Sequence, residues 1–151
     1  MNKLVDICSW ERFDLDQLAS VAETLSECLP HSGVVAVHGP MGAGKTTLVK
    51  AVLRAWGVGE EAASPTFGLV HHHTVFRGEV QVDVRHMDLY RLADEEEAER
   101  SGIAEMLDDR ALNLVEWPER VPGLMPEDAW LLRIEPREDG FRSCILSQLR
   151  G

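Results

Sequence analysis

Lysine is scarce in this 151-residue chain: Lys3, Lys45 and Lys50 are the only ones, and the formal net charge is −11. A protein that grips nucleic acid directly carries a basic stripe, because its affinity comes from neutralising phosphates. Here the arginines are dispersed. The C-terminal group of Arg133, Arg137 and Arg142 is interleaved with Glu135, Glu138 and Asp139. Direct, tight nucleic-acid binding is therefore disfavoured, and a protein partner or a small anion is favoured. Long apolar runs are absent too, so no membrane span is expected. The opening MNKLVDICSW lacks the layout of a signal peptide, which points to the cytoplasm. Cysteine is limited to Cys8, Cys28 and Cys144, with no CxxC spacing, which fits reduced thiols used as small apolar residues. Repeats, low-complexity stretches and linkers are also missing. The length predicts a single domain over 1–151, large enough to bury a core.

The hydrophobic patterning alternates between strand and helix. Residues 4–8 (LVDIC) read as a short strand. DLDQLASVAETLSECL (14–29) places apolar residues at helical spacing, with Asp14 as N-cap and Pro30 as the stop. GVVAVHG (33–39) reads as a strand buried on both faces, as in a parallel sheet. TTLVKAVLRAWG (46–57) reads as a helix capped by Gly57. ASPTFGLVHHHTVF (63–76) opens with a turn and becomes a strand. GEVQVDV (78–84) alternates as a strand does, which predicts a hairpin turning near Arg77-Gly78. The acid-rich stretch 94–109 reads as a helix broken near Gly102, with its acids on a solvated N-terminus. ALNLVEW (111–117) is a further buried strand, stopped by Pro118. Residues 129–135 and 140–149 form a last hairpin around Glu138-Asp139-Gly140. The fold class is α/β: a mostly parallel central sheet flanked by helices, with antiparallel additions.

Between the second strand and second helix stands HGPMGAGKTT. Gly39 through Thr46 matches G-x-x-x-x-G-K-[ST] without exception. Glycines let such a loop curl so that successive N–H groups face phosphate oxygens, and the following helix adds its positive end. The nucleotide-binding candidates are Met41, Gly42, Ala43, Gly44, Lys45, Thr46 and Thr47. The Lys45 ammonium can reach β- and γ-phosphates, and the Thr46 hydroxyl can ligate Mg²⁺. The guanine signature NKxD is absent, since neither Asn2 nor Asn113 begins one, so ATP is favoured.

In open α/β sheets, ligands sit at the carboxyl ends of the strands. Asp88 and Glu116 occupy such ends. A P-loop enzyme needs an acid for Mg²⁺ or its waters and a group to orient the attacking water. Both are therefore metal and catalytic candidates, beside Lys45. Ser64-Pro65-Thr66 lies where other P-loop proteins place a hydroxyl that senses the γ-phosphate; an ordinary Ser-Pro turn is the alternative. Trp117 follows Glu116, and core packing is the commoner fate of a tryptophan. His71-His72-His73 suggests a metal, but strand alternation sends His72 to the opposite face and no further ligands accompany it. A structural or exposed strand is favoured.

Four segments in order, HGPMGAGKTT, SPTFGLV, HMDLYRL and LVEWPER, resemble the TsaE family of small bacterial ATPases. The resemblance covers most of the chain, and its last three segments are far more specific than the P-loop. It implies a role in making threonylcarbamoyladenosine next to the anticodon of tRNAs, with TsaB and TsaD as protein partners and ATP hydrolysis supporting their repeated turnover. It further implies that Thr46 and Glu116 hold Mg²⁺, that Asp88 serves a Walker-B-like role, and that Ser64, Pro65 and Thr66 form the first switch. Leu15, at the start of the first helix, and Phe141, in the last hairpin, would flank the adenine. Met87 stands where the family pattern has phenylalanine, and the HHH stretch replaces a more usual acidic and aromatic segment. The acidic net charge agrees with service to a tRNA pathway through protein partners.

Two other functions fit a P-loop. A small-molecule kinase would add an arginine-bearing lid and an acceptor pocket, and no Arg-rich lid segment follows the motif. A nucleotide-gated binding module without turnover would not need Asp88 and Glu116.

Overall fold

The computed structural model describes residues 3–59, 69–107 and 110–150. Among these residues seven strands form one sheet: β1 (Lys3–Phe13), β2 (Gly33–His38), β3 (Val70–Arg77), β4 (Val80–Asp88), β5 (Leu112–Glu116), β6 (Trp130–Pro136) and β7 (Arg142–Arg150). The helices are α1 (Leu18–Cys28), α2 (Lys45–Ala55), α3 (Glu95–Arg100) and α4 (Ile103–Leu107). The strand order is β1-β7-β6-β2-β5-β4-β3. The central four, β6-β2-β5-β4, run parallel, and antiparallel strands complete both edges. The expected α/β class, a parallel centre with antiparallel additions, is thus observed.

The central strands are apolar on both faces because helices cover both. Val35 and Val37 of β2 join Leu112 and Leu114 of β5 beneath Leu48 and Val52 of α2. Val34 and Val115 point the other way, into a second core with Met87, Ile103 and Leu107. Two buried faces on one short strand are the reason that GVVAVH shows no alternation. No described helix is long and apolar enough to cross a membrane.

Several boundaries follow local chemistry. Gly57 lies one residue past the helix cap with φ 92°: its N–H donates to the Arg54 carbonyl and the Val58 N–H to that of Leu53, the paired bonds of a Schellman end. Gly78, φ 67°, supplies the turn between β3 and β4, where Arg77 pairs with Val80. Asp94 caps α3 by accepting from the Glu97 N–H, and Gly102, φ 85°, separates α3 from α4.

Two expectations need correction. The first strand extends beyond 4–8 and ends at Phe13. Register shifts between Asp6 and Cys8 and between Trp10 and Phe13 interrupt its alternation, so its length was hidden. The first helix is regular only from Leu18, with Gln17 as its cap residue. Asp14 caps the turn just before it: the Gln17 N–H donates to Asp14 Oδ1 and the Asp14 N–H to Gln17 Oε1, a reciprocal capping box.

Gly39 marks the closest approach of backbone to backbone near the loop. A Cβ there would lie 2.4 Å from the Ile134 carbonyl oxygen of β6. Gly39→Ala is therefore expected to destabilise the protein by about 1–3 kcal/mol, the usual cost of overpacking. Gly59→Ala, where a Cβ meets nothing within 4 Å among the described residues, is the control. Urea unfolding of the two variants checks this, and equal midpoints would contradict it.

Candidate functional site

The site begins where β2 ends. Residues 39–44 form the loop, and α2 opens at Lys45, so Lys45 and Thr46 occupy its first turn. Gly42 (φ 79°) and Gly44 (φ 102°) adopt left-handed conformations that an L side chain resists. Arg142 of β7 ties the loop down: its Nε donates to the Ala43 carbonyl at 2.8 Å. The Lys45 ammonium donates to the Gly39 carbonyl and stands 3.6 Å from the centre of the Trp117 ring. Burial pushes its pKa below that of an ordinary lysine, while the charges of Glu116, Glu119 and Asp88 pull it back up.

The acids arrive from the neighbouring strand ends. Asp88 and Glu116 are partners in the parallel β4–β5 register, so they stand side by side at the carboxyl ends of two central strands. Glu116 is 1% exposed. Its Oε1 accepts from the Thr46 hydroxyl at 2.7 Å, and its Oε2 accepts from His86 Nε2. Asp88 is more open, and its Oδ1 accepts from the Tyr90 N–H at 3.1 Å. Trp117 turns the chain away with φ 58°, and its ring packs 5.0 Å from that of Tyr90. Lys45, Thr46, Asp88, Glu116 and Trp117 line one cavity of about 380 Å³.

One hydroxyl and two carboxylates suit a hard cation such as Mg²⁺, which is commonly held by one or two carboxylates plus waters and substrate phosphates. Among the described residues no cluster of three His, Cys, Asp or Glu side chains could hold a metal ion by itself. The donor set therefore fits an ion that arrives with a phosphate ligand.

A second cavity, of about 440 Å³, lies across the loop and shares Gly42, Gly44 and Thr47 with the first. Phe13, Leu15, Leu18 and Ile134 give it apolar walls. Leu15 is 79% exposed, an apolar side chain with a free face beside the opening. Phe141 stands at the adjoining turn with the Arg12 guanidinium 3.6 Å over its ring. Arg12 in turn pairs with Asp139 at 3.0 Å. The Phe141 N–H donates to Asp139, and that bond, aided by Arg12 and Arg137, holds the Asp139 carboxyl below its ordinary pKa.

Met41, Gly42, Gly44, Lys45, Thr46, Thr47, Asp88 and Glu116 thus line one cavity, with Ala43 in the wall of the other. Ser64, Pro65 and Thr66 lie outside the described residues. Trp117 packs against the second core as expected of a tryptophan, yet its ring also lines the site beneath Lys45. The histidines alternate as expected: His72 is exposed, whereas His71 and His73 share the α2 side of the sheet with His86. Sequence reasoning missed His86, Tyr90 and Arg142. His86 was visible as the residue two before Asp88, on the same strand face. Arg142 sits 99 residues from the Ala43 carbonyl it binds, and no local signal could have found it.

A glycine-rich loop between a buried strand and a helix, with acids on the two neighbouring strand ends, defines a P-loop NTPase-like α/β domain. The fold is similar to that of Bacillus subtilis YdiB, whose crystal structure superposes with a TM-score of 0.72 at 21% identity over 98% of this chain and 87% of that one. Residues 13–144 match the family of threonylcarbamoyl adenosine biosynthesis protein TsaE, and the chain belongs to that family. Its relatives include tRNA threonylcarbamoyladenosine biosynthesis protein TsaE of Haemophilus influenzae, 36% identical over 76% of this chain and 70% of the relative. The protein of the same name from Treponema pallidum is 35% identical over 79% and 84%.

Proposed function

We propose that this chain is a Mg²⁺-dependent ATPase that serves threonylcarbamoyladenosine modification of tRNA by acting on protein partners, TsaB and TsaD. The observation that carries the reading is the Thr46 hydroxyl bonded to the buried Glu116 carboxylate, with Lys45 beside them. Phosphoryl transfer needs positioning and charge neutralisation more than covalent chemistry. The loop backbone and Lys45 would bind the triphosphate. Thr46, Glu116 and Asp88 would hold Mg²⁺, which would neutralise charge on the β- and γ-phosphates. The apolar cavity beside Leu15 would take the adenine. Asp88, the more open carboxylate, would also orient the attacking water.

The net charge of −11 favours partners over direct RNA contact. The test is ATP turnover by the purified protein, alone and then with TsaB and TsaD. Slow turnover that changes when the partners are added supports the reading. Turnover indifferent to them detaches the chain from that assembly, and phosphate appearing on a metabolite rather than in water makes it a kinase.

A further inference from the structure

Glu116 is almost wholly removed from solvent, yet each of its carboxylate oxygens has its own donor: Thr46 on Oε1 and His86 on Oε2. Thr46 belongs to the loop and helix that would take the phosphate. His86 does not. It projects from β4 on the α2 side of the sheet, two residues before Asp88, and it is 3% exposed. Directly opposite in the β3–β4 register stands His71, whose ring stacks on that of His86 with centroids 5.6 Å apart and planes 28° from parallel. His73 continues the stack at 6.2 Å. The ring of His86 is therefore held on one side by a neighbouring imidazole and at its tip by the carboxylate.

We propose that His86 is a positioning residue for Glu116: it pins one carboxylate oxygen so that the other faces Thr46 and the ion brought by the nucleotide. A carboxylate on a three-carbon reach has freedom about its last two bonds. With Oε2 fixed, the group presents a single oxygen in a single orientation. Without His86, Oε2 becomes a buried acceptor with no donor, a costly state that the side chain escapes by rotating. Rotation carries Oε1 away from Thr46. Outer partners of metal ligands commonly act in this way. The proposal rests on the ATPase reading for its activity arm but not for its metal-binding arm.

The experiment compares wild type, His86→Leu, His86→Gln and His86→Asn. Leucine fills the space without a donor. Glutamine carries an amide nitrogen at nearly the reach of Nε2, and asparagine carries one a bond too short. Mn²⁺ uptake in the presence of ADP is followed by electron paramagnetic resonance, alongside kcat and KM for ATP and the melting temperature. His86→Leu should weaken Mn²⁺ binding and lower kcat, each by about 10-fold or more, with KM for ATP little changed. Glutamine should restore most of the loss and asparagine should not, whatever their melting temperatures. Should the leucine variant not fold, the glutamine–asparagine pair reads the same difference. Wild-type Mn²⁺ affinity in His86→Leu, or equal defects in the glutamine and asparagine variants, overturns the proposal. Normal Mn²⁺ uptake by wild type without any turnover sinks the ATPase reading alone, and the metal arm still decides the role of His86.

Discussion

Lys45→Ala is expected to weaken ATP binding by about 100-fold or more, the scale of removing one partner from a buried charge pair. The chain has only three lysines, and this one is buried at the mouth of the phosphate loop. In the structure its ammonium is shared between the Gly39 carbonyl and the Trp117 ring, with Glu116, Glu119 and Asp88 supplying negative charge nearby. A triphosphate would offer it a far stronger partner. Calorimetric titration with ATP checks the loss, and the melting temperature of the variant separates it from unfolding. Because burial lowers the Lys45 pKa, the ammonium deprotonates before an ordinary lysine does as pH rises. Affinity in the wild type should therefore start to fall below the usual lysine value of 10.5. Bound phosphate would push that decline upward. An alanine variant that binds ATP normally would remove Lys45 from the site.

Glu116→Gln separates binding from chemistry. It keeps the shape of the side chain but removes the charge, and it places an amide donor against either Thr46 or His86, which both donate to Glu116 in the native arrangement. We expect kcat to fall by about 10²–10³-fold, in the range seen when one preorganised electrostatic contact is lost from a reacting centre. Affinity for ATP should change far less, because the loop and Lys45 remain. Single-turnover hydrolysis beside equilibrium nucleotide binding measures both quantities. A glutamine variant that hydrolyses at the native rate would show that the charge of Glu116 is not used. A matched loss of affinity and rate would make it a binding residue only.

Much of the scaffold was legible because its signals are local. The β2–loop–α2 unit combines a short apolar run, a glycine pattern and an amphipathic helix within 23 residues. The β3–β4 hairpin and the strand stopped by Pro118 were readable for the same reason. The pairing of Asp88 with Glu116 followed from a general rule about strand ends, although nothing local states that β4 and β5 are neighbours. What escaped was set by distant contact. The full length of β1 depends on β7, its partner across the whole chain, and two register shifts erase the alternation that would betray it. The bond from Arg142 to the loop is invisible for the same reason. His86, two residues before Asp88 on the same strand face, was overlooked because its meaning comes from the carboxylate on the next strand.

Trp117 has a consequence for how this protein can be watched. Its indole lies under a cation that nucleotide phosphates would draw off toward themselves. A nearby positive charge alters the excited state of an indole, so removing that charge changes the colour and brightness of its emission. Of the four tryptophans, this one lines the cavity of Lys45, Thr46 and the two strand-end acids. Nucleotide binding is therefore expected to change the emission of Trp117, and stopped-flow fluorescence without any label would read it.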